Sequence, residues 1–160
     1  MPSKPNANLL RSSSLGGELS EQECQVLTSI MGVSQLKDGE LLVSAGGSDH
    51  TLFVLVDGKL AVVNNVDGRD TVIYTMTEGE CAGTRAFVDR TPRKATLRSI
   101  GDATVYTMEP AAFETLLDKH PRIVYKVMRA LFRITHANLM RMNLESQELA
   151  NYISKSHGRY

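Results

Sequence analysis

Six glycine-bearing turn pairs cut the middle of this chain into short β-favouring runs. The pairs are Asp38-Gly39, Gly46-Gly47, Asp57-Gly58, Asp67-Gly68, Glu78-Gly79 and Gly101-Asp102. Between them lie Leu41-Leu42-Val43, Thr51–Val56, Leu60–Val63, Thr71–Thr75, Ala95–Ile100 and Ala103–Met108. Glycine supplies the positive φ that tight turns demand, and β-branched residues suit the strands between. Short strands at this spacing point to an antiparallel barrel or jelly roll and not to a βαβ sheet. Asp57-Gly58, flanked by Leu52–Val56 and Leu60–Val63, reads as a two-residue type I′ hairpin.

Helices are expected on both sides of this β region. Residues 1–17 are rich in Ser, Asn, Pro and Gly and are expected to be a flexible N-terminal segment. Within them, Arg11-Ser12-Ser13-Ser14 has the look of a phosphoacceptor run, a common pattern by chance. Ser20 with Glu23 forms a capping box, and Val26, Leu27, Ile30 and Met31 give an amphipathic helix over 20–31. Pro110 suits the first position of another helix, with Phe113, Leu116 and Leu117 on one face. His120-Pro121 breaks it, and a long helix begins at Pro121 and continues to about Ser146 or beyond. Val124, Met128, Leu131, Thr135, Asn138 and Met142 recur at steps of four and three. That stripe has two readings: packing on the chain's own barrel, or pairing with a second copy in a homodimer through the 121–150 helix. Residues 151–160 read as a polar tail.

Composition excludes several function classes. The chain has 160 residues, 42% of them apolar, and its 18 Lys+Arg balance 18 Asp+Glu. This is one soluble domain without bulk attraction to nucleic acid or an anionic membrane, so an anion site must be local. No apolar run approaches the ~20 residues of a membrane span. Cys24 and Cys81 lack metal or redox spacing and read as reduced thiols, which suits a cytoplasmic location. The four histidines, at 50, 120, 136 and 157, have no ligand-type residue at helical spacing. No catalytic constellation and no metal site are expected, so the reading is non-enzymatic.

Gly79 to Thr96 carries the chemistry: Gly-Glu-Cys-Ala-Gly-Thr-Arg-Ala-Phe, then Asp-Arg-Thr-Pro-Arg-Lys-Ala-Thr after Val88. Glycines before a short helix-like run, with Arg93 following Pro92, can build a phosphate cradle from backbone amides and one guanidinium. Three blocks together resemble the cyclic nucleotide-binding domain family over residues 20–145. They are Leu36–Leu42 followed by Gly46, Asp49 to Leu60, and Gly79-Glu80 through Ala95-Thr96. The helical end fits the same pattern.

The resemblance implies an antiparallel β-roll flanked by helices, with a cyclic nucleotide (cAMP or cGMP) under the 79–96 cassette. It implies that Arg93 pairs with the cyclic phosphate, that Gly83 admits close approach, and that the Thr84, Arg85 and Ala86 amides face the phosphate. Thr96 stands where a Ser or Thr near base and phosphate is usual, and Lys94 lies beside Arg93. Gly58 matches a turn glycine of the fold. Asn138, on the last helix, is either a seam residue or a base contact. Two positions depart from the family pattern. Thr84 stands where a glutamate accepts the ribose 2′-hydroxyl, and Ala82 stands where an aromatic is usual. Arg85 occupies an ordinarily apolar position and turns either to the pocket or to solvent.

The expected organisation is a flexible segment over 1–17, a β-roll with flanking helices over 18–120, a dimerisation helix over 121–150 and a tail over 151–160. Too few residues follow the long helix for the two packed helices of a helix-turn-helix, so no DNA contact is expected from this chain. The expected function is a ligand-responsive regulatory module that signals through its C-terminal helix to an effector protein. The alternative is a degenerate fold acting as a dimerisation or protein-interaction scaffold, or binding another small anion.

Overall fold

The computed structural model describes residues 4–157. Three layers follow along the chain. First come helices α1 (Ala7–Arg11) and α2 (Glu21–Ser29). Strands β1 (Gly32–Leu36), β2 (Leu41–Val43), β3 (Leu52–Val66), β4 (Arg69–Met76), β5 (Cys81–Ala82) and β6 (Thr96–Met108) form the sheet, with helix α3 (Thr84–Asp89) inserted before β6. Helices α4 (Pro110–Glu114) and α5 (Pro121–His157) close the described chain. The six strands make one antiparallel sheet in the order β1-β6-β3-β4, with β2 on β6 and β5 on β3. This is the expected β-roll.

Two of the six turn signals serve a different purpose. Asp57-Gly58 and Gly101-Asp102 do not end strands. β3 and β6 each run through, paired to one another along most of their length, with register shifts around Asp57. Gly58 (φ 88) and Gly101 (φ 69) are sharp bends in this long ribbon. A Cβ on Gly58 would lie 2.4 Å from the Asp102 carbonyl oxygen and 2.9 Å from the Ala103 Cα, so the bend requires glycine. Asp67-Gly68 is the true two-residue hairpin. Val66 pairs with Arg69, and both central residues have positive φ, 52 and 80.

The long ribbon has two apolar faces because strand neighbours alternate. Phe53, Leu55, Leu60, Leu97 and Val105 fill the barrel interior. Leu52, Val54, Tyr106 and Met108 face the helices, where they meet Leu27, Phe113, Ile123, Val127 and Leu131. Of the expected α4 face, Phe113 and Leu116 are buried but Leu117 is exposed.

The N-terminal segment corrects the expectation of flexibility over 1–17 for residues 4–17. Asn6 caps α1 by accepting from the amides of Asn8 and Leu9. Leu10 and Leu15 are fully buried in the helix-side core. Ser14 donates from its amide (2.8 Å) and hydroxyl (3.0 Å) to the Gly79 carbonyl. Polar composition hid two leucines that dock where the cassette begins. Residues 1–3 of that expectation lie outside the described residues.

α2 forms as its capping box predicts, with Ser20 and Glu23 bonding each other's backbone amides. Glu23 also accepts from Lys126 of α5 at 2.7 Å, and Glu18 accepts from Arg133 at 2.8 Å. These bonds fasten the first half of α5 to the N-terminal layer. α5 is helical to His157, past the expected end at 150, and residues 158–160 of the expected tail lie outside the described residues.

The exposed α5 stripe keeps Met128, Thr135 and Met142 of the expected one, and its alternate members lie one residue later. Leu131 is buried in the chain's own core, with Ile123, Val127 and Ala130 beside it. The exposed heptad face is Tyr125, Met128, Phe132, Thr135, Leu139, Met142, Ser146, Leu149 and Ile153. Asn138 falls outside it.

Two outcomes test this architecture. Leu10→Ala should cost about 2–5 kcal/mol in urea unfolding, because it empties a fully buried site; a change within ~0.5 kcal/mol would restore the flexible reading. The Glu23 carboxyl is held below its ordinary value by the Lys126 hydrogen bond and then by the Ser20 amide. A depressed folded value means stabilisation present above the unfolded value near 4.5 and lost as pH falls through the folded one. Glu23→Gln should therefore flatten the acid limb of the stability profile below about pH 4.5 while leaving its shape at neutral pH unchanged.

Candidate anion-binding site

Arg93 is the best-buried charged residue among the described residues, 6% exposed. It is drawn inward because its backbone is locked to the 46–47 turn. Its amide donates to the Gly47 carbonyl (2.9 Å) and its carbonyl accepts from Gly46 (2.7 Å). The side chain lies 5.1 Å over the Phe53 ring. Nη2 donates to the Asp49 carboxylate (2.9 Å) and the Thr51 carbonyl (2.6 Å). Nε and Nη1 are buried and have no partner. A buried cation with two unused donors is costly unless an anion meets them.

Asp49 sets the orientation. Its other oxygen accepts from the Thr51 hydroxyl (2.7 Å) and amide (3.2 Å). Partial burial would raise this carboxyl, but the bonds from Thr51 and Arg93 outweigh it and hold the carboxyl below its ordinary value. Nη2 is thus the occupied nitrogen of the guanidinium, and Nη1 lies on the cassette side against Gly83.

Gly83 is the closest neighbour on that side. Its φ of 83 precedes α3, and a Cβ there would stand 2.4 Å from Arg93 Nη1. Any other residue would displace the guanidinium.

The space beyond is a cavity of ≈ 410 Å³. Gly83, Thr84, Arg85, Ala86, Arg93 and Lys94 line its cassette side. Arg85 and Lys94 are exposed at its rim, and Thr84 is half-buried. Val43, Val62, Met76 and Leu97 give it apolar walls, and Asn138, Arg141, Met142 and Glu145 of α5 cover it. Of the expected site residues, Thr96 alone stays out of this lining. Its hydroxyl accepts from the Ala45 amide at 3.0 Å and so holds the strand edge. Ala95 lines the cavity in its place.

Four residues beyond the expected set belong to the site. Asp49 orients Arg93. Arg141 lies 3.8 Å over the Tyr74 ring with its Nε buried and unpartnered. The Tyr74 hydroxyl donates to Glu80 at 2.5 Å, a bond that, with burial, raises the phenol above its ordinary value. None of these pairs shows in sequence spacing, since Asp49 and Arg93 stand 44 positions apart. Cys81 is pushed up to about 11 by burial, which makes it an inert core thiol. Among the described residues no cluster could hold a metal ion.

The sequence profile of the family "Cyclic nucleotide-binding domain" matches residues 33–120, more than half of the chain. A cyclic nucleotide-binding domain from Methylobacillus flagellatus superposes with a TM-score of 0.76 at 20% identity, covering 84% of this chain and 76% of that one. The Thermus thermophilus catabolite activator protein gives a TM-score of 0.76 at 19% identity, covering 86% and 63%. Both show likeness of fold. Among curated relatives, a cGMP-dependent protein kinase of Toxoplasma gondii is 30% identical over 115 residues, covering 72% of this chain and 10% of that protein. The lysophospholipase nte1 of Aspergillus oryzae is 26% identical over 98 residues, covering 61% and 6%. The chain thus spans 6% to 10% of the length of these two relatives, whose names describe much larger proteins.

Proposed function

The chain belongs to the cyclic nucleotide-binding domain family, and from that premise we propose that it binds cAMP or cGMP as a non-enzymatic regulatory module in the cytoplasm. The observation that carries this reading is the pair of buried, unpartnered donors on Arg93. A cyclic phosphate is a monoanion with two exocyclic oxygens, and Nε–H and Nη1–H of Arg93 are two buried donors that the fold leaves for such a group. Amides at the start of α3 add to the grip.

α5 is the output element in this proposal. Its first half is bonded to Glu18 and Glu23, and its second half covers the cavity. A ligand that contacts the cover changes the free energy of one helix position relative to another, which is what a two-state response requires. We further propose a homodimer through the exposed heptad face from Tyr125 to Ile153. That face carries large apolar side chains such as Phe132, 72% exposed, and Leu149, 60% exposed.

The scaffold alternative rests on Thr84. A neutral residue there removes a charged hydrogen bond worth ~1.5–3 kcal/mol, or roughly 10–150-fold in affinity.

Titration calorimetry with cAMP and cGMP should show binding, and Arg93→Ala should abolish it. Absence of heat at millimolar nucleotide would leave the scaffold reading standing. In sedimentation analysis the wild type should be a dimer and Leu139→Glu a folded monomer whose unfolding midpoint no longer depends on protein concentration; a wild-type monomer would refute the seam.

A further inference from the structure

Glu80 is a carboxylate that lines the cavity and keeps acceptor capacity beyond its bonds within the fold. It stands just before β5, where Cys81 faces the helix-side core and Ala82 packs against the barrel core. Alternation places Glu80 on the face of Ala82, and both line the cavity. Three donors already hold the carboxylate still. Oε1 accepts from the Tyr74 hydroxyl at 2.5 Å, and Oε2 accepts from the Thr77 amide at 2.6 Å and the Thr77 hydroxyl at 3.3 Å. A carboxylate has about four acceptor positions, so one remains. The group is pre-oriented and still able to accept.

The other acidic groups nearby are placed differently. Asp49 is committed to Arg93 and Thr51. Glu145 is exposed on α5 at the edge of the cover. Thr84 brings only a hydroxyl to the cassette side. Ala82 leaves the wall beside Glu80 open, because a methyl group is all that stands next to it. Arg141, stacked on the Tyr74 ring, holds the far end of the same chain of contacts from α5.

We propose that Glu80 is the acceptor for a sugar hydroxyl of the bound nucleotide, and that Ala82 is the opening through which the ligand reaches it. The inference rests on the cyclic-nucleotide reading above and deepens it. Glu80 contacts ligand directly, and Tyr74 and the Thr77 amide position it. Discrimination between ribose and 2′-deoxyribose then resides in Glu80 and not at position 84.

Calorimetry with cAMP and 2′-deoxy-cAMP on four proteins tests this. The wild type should bind the deoxy analogue ten-fold or more weakly, the ratio expected for a lost charged hydrogen bond of roughly 1.5–3 kcal/mol. Glu80→Gln should weaken cAMP by about that factor and bring the two nucleotides level. Thr84→Ala should preserve the wild-type ratio. Ala82→Phe, which leaves the Tyr74 and Thr77 bonds intact, should also bring the nucleotides level, so the claim stays testable if Glu80→Gln fails to fold. Equal wild-type affinities, a ratio surviving Ala82→Phe, or a ratio abolished by Thr84→Ala would overturn the assignment while leaving the cyclic-nucleotide reading intact. If neither nucleotide binds the wild type, both fall together.

Discussion

A half-satisfied guanidinium organises this molecule. Arg93 is buried against Phe53 with Nη2 spent on Asp49 and Thr51, and its Nε and Nη1 are left without a partner. Leaving buried donors unmet costs on the order of 1–3 kcal/mol each, and other features around it maintain that state. A side chain at Gly83 would collide with Nη1 of Arg93. The Gly46-Gly47 turn bonds the Arg93 backbone on both sides. The start of β3 and the residue before it bring Phe53 and Thr51 to the Arg93 guanidinium. In the proposed reading, an anion is the group that turns this cost into binding energy.

The surrounding layers explain how one ligand site can be rigid and connected at once. The N-terminal segment is sealed by Leu10 and Leu15 and touches the cassette through Ser14 and Gly79. The same segment holds Glu18 against Arg133 and, with Glu23 in α2, grips α5 near its start. Farther along, α5 meets the cavity through Asn138, Arg141 and Glu145. Exposed ion pairs of this kind are individually weak, so the first half of α5 is secured chiefly by Ile123, Val127 and Leu131. The cover has no comparable core anchor. Position changes in α5 would therefore concentrate in its second half.

The sequence carried the roll, the capping box of α2, the break at His120-Pro121 and the cassette, because each rests on local chemistry. Local signals failed where two meanings share one dipeptide. Asp-Gly makes a hairpin at Asp67-Gly68 and a strand bend at Asp57-Gly58, and only the partner strand decides between them. Alternate members of the α5 stripe were placed one residue early because two apolar stripes share the helix, and burial of Leu131 settles which is internal. Leu10 and Leu15 were lost in a polar stretch whose docking surface lies in distant residues. In the cassette, Gly83 and Arg93 were legible from type and spacing. Asp49, Tyr74, Glu80 and Arg141 were not, since their roles arise from contacts across the fold. Thr96 has the expected residue type but spends its hydroxyl on the Ala45 amide.

The central claim is that the unpaired Nε and Nη1 donors of Arg93 are the anion contact. Side-chain NMR of ¹⁵N-arginine-labelled protein reads those donors directly, atom by atom. Adding cAMP should shift the Arg93 Nε–H resonance downfield in a saturable way and protect it from exchange with water, with the Nη2 bonds to Asp49 and Thr51 retained. Saturable binding of nucleotide with the Arg93 Nε–H signal unmoved would contradict the claim.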